Sequence, residues 1–268
     1  MSMKKQNLVL IITTFDSDAL RISVPPLARV ARHTTLVIYN DNPGTCVTRH
    51  MIRHMGWRGG LQIVNSDKNS GEFGARIAAI RYLMTKKFHA DWIMVADDDD
   101  IVLDTDVPAA PENVFAVVRN ATTISDNLTD IFKVRQSWTD GTEYGKTGPH
   151  FAITGTAIRA RYLYEFADFI EHIMPEIEDT IRHTRYRLPI AEMMWNCLNA
   201  FMRVLHPTAT PIYMNKTNYV AVKMGHAHEK YGHSVPIAPT TRGTATRVAK
   251  KIVQFVDAAA QNMVAESQ

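Results

Sequence analysis

Trp92-Ile93-Met94-Val95-Ala96-Asp97-Asp98-Asp99-Asp100 is an unbroken apolar run that stops at four consecutive carboxylates. The run is short and shows no alternation of polar and apolar residues, which predicts a strand covered on both faces. Adjacent aspartates repel one another, and a fold tolerates them only with compensation nearby, such as a divalent cation or helix N-termini. Mg2+ and Mn2+ prefer carboxylate and phosphate oxygens, so one or two of these side chains and a diphosphate would complete an octahedral site. An ion there acts as a Lewis acid on a departing diphosphate. A solvated acidic loop, or a calcium site without a catalytic role, is the plainer reading of the same residues. The strand before them favours the first reading.

Outward from this tip, the apolar run at 8–12 reads as a first strand that ends in Thr13-Thr14-Phe15-Asp16. Residues 19–31 have apolar positions at helical spacing, interrupted by Pro25-Pro26, and 36–39 read as a second strand closing in the turn Asn40-Asp41-Asn42-Pro43-Gly44. A third strand at 61–64 and a helix over 71–84 complete a βαβαβ alternation with the strand at 92–96. Such alternation predicts a mainly parallel sheet with ligands at the carboxyl ends of the strands, where Thr13, Asp41 and Asp97 to Asp100 gather. Beyond Asp106 the pattern changes. Residues 131–138 and 151–153 read as strands, 161–173 and 189–205 as helices, and 247–264 as an amphipathic helix with Val248, Ile252, Phe255 and Val256 on one face.

The 268 residues, 46% hydrophobic and 21% charged, are enough for one large core. A net charge of +3 and a pI near 8.8 suit nucleotide binding and permit a polyanionic acceptor without requiring one. Cys46 and Cys197 are too few and too far apart for a zinc site or a disulfide framework, so a reducing, cytoplasmic setting is expected. The early apolar run lacks a signal-peptide cleavage site, and no stretch approaches the roughly 18 apolar residues of a membrane span.

Asn69-Ser70-Gly71-Glu72-Phe73-Gly74-Ala75-Arg76, followed after a gap by residues 92–102, resembles the donor-binding segment of nucleotide-sugar transferases with the GT-A fold, closest in pattern to exostosin-type transferases. The first-strand loop Thr13-Thr14-Phe15-Asp16 recurs in the same order, as do Gly155-Thr156-Ala157, Glu192-Met193-Met194-Trp195-Asn196, and Tyr231-Gly232-His233-Ser234-Val235-Pro236 followed by Arg242. The likeness spans most of residues 7–243. It implies an α/β fold of GT-A type, a mainly parallel twisted sheet flanked by helices, with a donor half at 1–106, an acceptor half of the same domain at 107–243, and a terminal helix at 244–268. It further implies a metal-dependent glycosyltransferase that moves a sugar from a nucleotide-sugar, a UDP-sugar above all, to an acceptor hydroxyl, with Mn2+ or Mg2+ as cofactor.

Site roles follow from the resemblance position by position. Thr13 and Phe15 would contact the base, Asp41 or Asn42 the ribose or base, and Asn69 and Arg76 the diphosphate. In the family the last aspartate of the motif holds the metal and an earlier one reaches the ribose or sugar. If the strand's end sets the register, the pair is Asp97 and Asp99; if Ile101 sets it, the pair is Asp98 and Asp100. The reading adopted here puts Asp97 and Asp98 on the donor and Asp99 and Asp100 on the metal, with His226 or His228 as a third ligand. Glu192 is the first choice for the carboxylate that deprotonates the acceptor or stabilises the sugar cation, although Ala191-Glu192 replaces the family's Glu-Asp pair; Asp179 in Glu178-Asp179 competes. Arg242 would clamp the diphosphate, helped by the neighbouring Gly243, and Arg247 is a second candidate. Gly155, Thr156, Trp138 and His233 fall on the acceptor side. Trp57, Tyr144 and Trp195 are core residues more readily than sugar platforms.

Two rivals stand beside this reading. A metal-dependent nucleotidyltransferase would carry a glycine-rich loop after the first strand, and 13–18 contains no glycine. A binding protein on an inactive transferase fold would neither transfer nor hydrolyse a donor. The acceptor is most simply a saccharide. DNA is the alternative, as in a phage-type enzyme that glycosylates a hydroxymethylated base, since 49–58, 182–187 and 242–251 are rich in arginine and lysine.

Overall fold

The computed structural model describes residues 6–31, 34–125, 146–182, 188–223 and 239–266. Its first half follows the alternation. Strand β1 (Leu8–Thr14) leads through helix α1 (Leu20–Val30) to β2 (Thr35–Asn40), then through α2 (Arg49–His54) to β3 (Leu61–Asn65) and through α3 (Gly71–Thr85) to β4 (Trp92–Asp97). These four strands pair in parallel in the order β3-β2-β1-β4. All seven residues of β1 are buried, which is why its sequence shows no alternation. Alternate side chains nevertheless point to opposite layers. Val9, Ile11, Val37, Ile93 and Val95 join the core beneath α3, and Leu10, Ile12, Leu36, Ile38, Met94 and Ala96 join the one beneath α1. Pro25 and Pro26 lie inside α1 rather than ending it.

After β4 come β5 (Ile101–Val102), β6 (Val114–Ser125), β7 (Lys146–Pro149) and β8 (Ala157–Arg159). Helices α4 (Ala160–His172), α5 (Met174–Arg182) and α6 (Ile190–Leu205) precede β9 (Thr210–Lys223), and α7 (Pro239–Glu266) follows it. The sheet continues β4-β8-β6-β9-β5, with β7 paired to β6. Strand β8 is antiparallel to both β4 and β6, β9 runs parallel to β6, and β5 antiparallel to β9, so the sheet is mixed. The strand expected at 151–153 is instead an irregular segment that touches the sheet by one bridge, Thr154 to Val95. The strand expected at 131–138 lies outside the described residues. Helices α4, α5, α6 and α7 supply Phe166, Ile177, Leu198 and Val256 to the core that α3 shares.

Candidate active site

The carboxyl ends of the parallel strands form a polar rim. In register, Thr13 lies beside Asp97, Thr14 beside Asn40, and Asn40 beside Asn65. Asn40 is fully buried and donates to Asn65 Oδ1 at 3.0 Å and to the Thr45 carbonyl at 2.9 Å, tying the loop after β2 to the tip of β3. Asp41 accepts the Ser70 N–H at 2.9 Å, which docks the start of α3 onto this rim. Burial raises the Asp41 pKa, against the opposing effect of the Ser70 and Gly71 N–H groups. Asn69 Oδ1 accepts the Gly71 N–H at 2.8 Å, so this side chain closes the turn into α3. Phe15 is exposed, and its carbonyl accepts from Asn42 Nδ2 at 2.9 Å.

Strand β4 ends at Asp97, and the Asp100 N–H donates to the Asp97 carbonyl at 3.3 Å, closing a turn over the aspartates. Three of the carboxylates have separate partners: Asp97 meets the Arg76 guanidinium, Asp98 accepts the Thr14 hydroxyl at 2.6 Å, and Asp100 accepts the Tyr219 hydroxyl. Burial, then the charges of Asp99 and Asp97, push the Asp98 carboxyl up to about 8. This is the signature of carboxylates crowded more closely than water alone would allow. Among the described residues, no three His, Cys, Asp or Glu side chains are arranged to hold an ion. A set of one or two carboxylates completed by donor phosphates nevertheless suits Mg2+ or Mn2+, which seldom occupy cages made of protein alone. The crowded Asp97-Asp98-Asp99 corner fits that chemistry.

Two expectations change here. Arg76, read as a diphosphate ligand, is fully enclosed, with its guanidinium on Asp97 and on Glu72 Oε1 at 2.8 Å. Burial opposes its charge, but the two carboxylates outweigh that and strengthen its hold on its proton. It therefore braces the acidic turn from inside, while its Nε and Nη1 have no hydrogen-bond partner among the described residues. Asp100, read as a metal ligand, is only 6% exposed and points inward to Tyr219. The buried strand β5, Ile101–Val102, follows at once.

The second wall comes from 150–156 and β9. The Gly155 N–H donates to the Val95 carbonyl at 2.8 Å, and Asn218 Nδ2 donates to the Gly155 carbonyl at 3.0 Å. Gly155 has φ +72°, and a Cβ there would lie 2.6 Å from Tyr219 Cγ, so only glycine suits the position. Thr156 is buried and donates to the Ala152 carbonyl at 2.8 Å. The Ile153 N–H donates to the Ala191 carbonyl at 3.0 Å, which sets the first turn of α6, with exposed Glu192, alongside this loop.

His150 and Tyr219 are the residues that sequence reasoning missed. Their rings stack with centroids 5.2 Å apart. Burial lowers the His150 pKa, opposed by the charges of Glu192 and Asp97. His150 thus senses both the acidic turn and the candidate base. Beside it, Phe151 is 58% exposed. Of the competing pair, Glu178 Oε1 approaches the Gly74 position on α3, while Asp179 is exposed on α5. Arg242 falls within α7. Trp138, Tyr144, His226, His228 and His233 lie outside the described residues. Trp57 and Trp195 are core residues, the latter stacked on Phe115 at 6.1 Å. In the basic stretch around α2, Arg49, Arg53 and Arg58 donate to the backbone carbonyls of Leu61, Trp57 and Arg53 at 3.0, 3.0 and 2.8 Å. Part of that charge serves the local fold. Among the described residues no helix is long and apolar enough to cross a membrane.

No protein-family model matches this chain, and no curated protein matches it. Among solved structures it is similar to S. aureus TarS 1–349 in complex with UDP-GlcNAc, at 12% identity and TM-score 0.50 over 91% of this chain and 65% of that one. A second S. aureus TarS structure matches at 12% identity and TM-score 0.45 over 85% of this chain and 38% of that one. Mannosyltransferase PcManGT from Pyrobaculum calidifontis, in complex with GDP-Man and Mn2+, matches at 12% identity and TM-score 0.41 over 99% and 76%. This chain thus spans less than two thirds of either TarS chain. The fold is α/β: a mixed sheet, parallel through β1 to β4, flanked by helices, as in the similar structures.

Proposed function

We propose that this chain is a metal-dependent glycosyltransferase that takes a sugar from a nucleoside-diphosphate donor, a UDP-sugar first, and passes it to a saccharide hydroxyl. The observation that carries the reading is the crowded acidic turn at the end of a central parallel strand, where α/β sheets bind nucleotides, with a second carboxylate, Glu192, sharing His150 as a neighbour with Asp97. The end of β4 at Asp97 supports the register in which Asp97 and Asp99 form the pair, with Asp99 as the metal carboxylate and Asp97 and Asp98 toward the donor. The rim of Thr13, Phe15 and Asp41 would take the nucleoside, and Asn69 and Arg242 the diphosphate. A bound Mn2+ or Mg2+ would supply Lewis-acid stabilisation of the leaving diphosphate.

The chain's own groups would do the rest. Glu192 accepts the proton of the acceptor hydroxyl as that oxygen bonds the anomeric carbon; the bond from that carbon to the diphosphate oxygen breaks, and its electron pair leaves with the nucleotide. His150, whose pKa burial lowers against the opposing charges of Glu192 and Asp97, lies near both carboxylates and stacks on Tyr219. Asp179 is the competing base, and its exposed place on α5 lends it less support.

Glu192→Gln separates these roles. Donor binding by calorimetry should match wild type within a factor of about two, while transfer, followed by mass spectrometry with saccharide acceptors, should fall at least the roughly 100-fold typical of a lost general base. Retained transfer in Glu192→Gln together with loss in Asp179→Asn would move the base to α5.

A further inference from the structure

Tyr219 is completely buried where the tip of β4, the 150–156 loop and β9 come together. Its hydroxyl accepts the Asp97 N–H at 3.4 Å and donates to Asp100 Oδ2, and the Thr154 hydroxyl bonds it as well. One face of its ring carries the stacked His150, and Gly155 packs so tightly against the ring that no side chain fits between them. A phenol with every face and its oxygen engaged has essentially one orientation available. It therefore holds both ends of the turn Asp97–Asp100, while Asp98, between them, is held separately by the Thr14 hydroxyl.

We propose that Tyr219 and Asp100 form an internal strut that sets the shape of the metal-binding turn, with Asp100 a positioning residue and not a ligand. The inference rests on the glycosyltransferase reading and refines it. An acidic side chain suits this place because a carboxylate accepts the phenol proton strongly in a dry setting. Groups that orient metal ligands from behind typically change metal affinity 10–100-fold when removed. The strut also joins the two walls, since β9 and the 150–156 loop hold the same ring.

The test is Mn2+ affinity, read by calorimetry and by the electron paramagnetic resonance of free Mn2+, in the presence of saturating UDP. Tyr219→Phe keeps the ring and removes the hydroxyl; it should weaken Mn2+ binding 10–100-fold and still unfold cooperatively. Asp100→Asn keeps an oxygen that accepts from Tyr219 but loses the charge; it should weaken Mn2+ binding by no more than Tyr219→Phe does, within the roughly 10–100-fold of a positioning group, whereas Asp99→Asn should abolish it. Wild-type affinity in Tyr219→Phe would overturn the strut. A loss in Asp100→Asn equal to that in Asp99→Asn would make Asp100 a ligand and overturn the proposal even if Tyr219→Phe fails to fold. A wild-type chain that binds neither Mn2+ nor UDP would overturn the glycosyltransferase reading, and this inference with it.

Discussion

Replacing Gly155 with alanine adds one methyl group, and the structure sets its consequence. The residue sits at φ +72°, where an L side chain costs about 1–2 kcal/mol. The new carbon would meet Tyr219 Cγ at 2.6 Å and Cδ2 at 2.7 Å, closer than nonbonded carbons approach. The ring cannot swing away, because its hydroxyl holds Asp100 and the Asp97 N–H and its face holds His150. Overpacking of this kind costs a further 1–3 kcal/mol or so. Together the two effects come to about 2–5 kcal/mol, a drop in Tm on the order of 10 °C for a chain of this size. Urea denaturation of both proteins measures the difference directly, and UDP titration with Mn2+ should show weaker binding because the acidic turn shifts with Tyr219. A loss below about 1 kcal/mol with unchanged nucleotide binding would refute the claim that ring, glycine and aspartates form one packed unit.

Arg76→Met keeps most of the buried volume but leaves Asp97 and Glu72 without their cation. Because Asp97 and Glu72 are 29% and 47% exposed, the loss should be on the order of 1–3 kcal/mol, so denaturant midpoints should fall, and Mn2+ should recover part of the loss. The acidic turn also makes stability depend on pH. Asp98 titrates at about 8 in the fold and near 3.8 when unfolded, so between these values the native state holds a proton that the unfolded chain has lost. Stability in EDTA should therefore fall as pH rises from 6.5 to 8.5, by up to about 1.4 kcal/mol per unit. Melting curves should flatten when Mn2+ and UDP are added, because a bound cation replaces the proton.

The first half of the fold was legible because its strands are uniformly apolar and end in polar residues: β1, β2 and β4 appear in sequence as unbroken runs, and Asp97 to Asp100 mark a tip directly. The other wall was not. Strand β9 carries Asn215, Lys216, Thr217 and Asn218 before Tyr219, so neither period 2 nor period 3.6 stands out, and its pairing with β6 lies far away in the chain. His150 follows β7 in a segment without periodicity. The readable clue was Gly155, a glycine amid apolar residues, which signals a close approach without naming its partner. The surroundings of Arg76 were illegible for a related reason. Helical spacing places it on α3, but only packing reveals that Asp97 and Glu72 enclose its guanidinium.

A glycosyltransferase site at the β4 tip requires that a divalent ion and a nucleoside diphosphate meet there. Calorimetric titration of the full chain with UDP and with GDP, in Mn2+ and again in EDTA, measures this in wild type and in Asp99→Asn. The account predicts saturable, Mn2+-dependent binding of one of these nucleotides that disappears in EDTA and in the variant. Binding that is indifferent to Mn2+ and to Asp99, or no binding of either nucleotide, would contradict it.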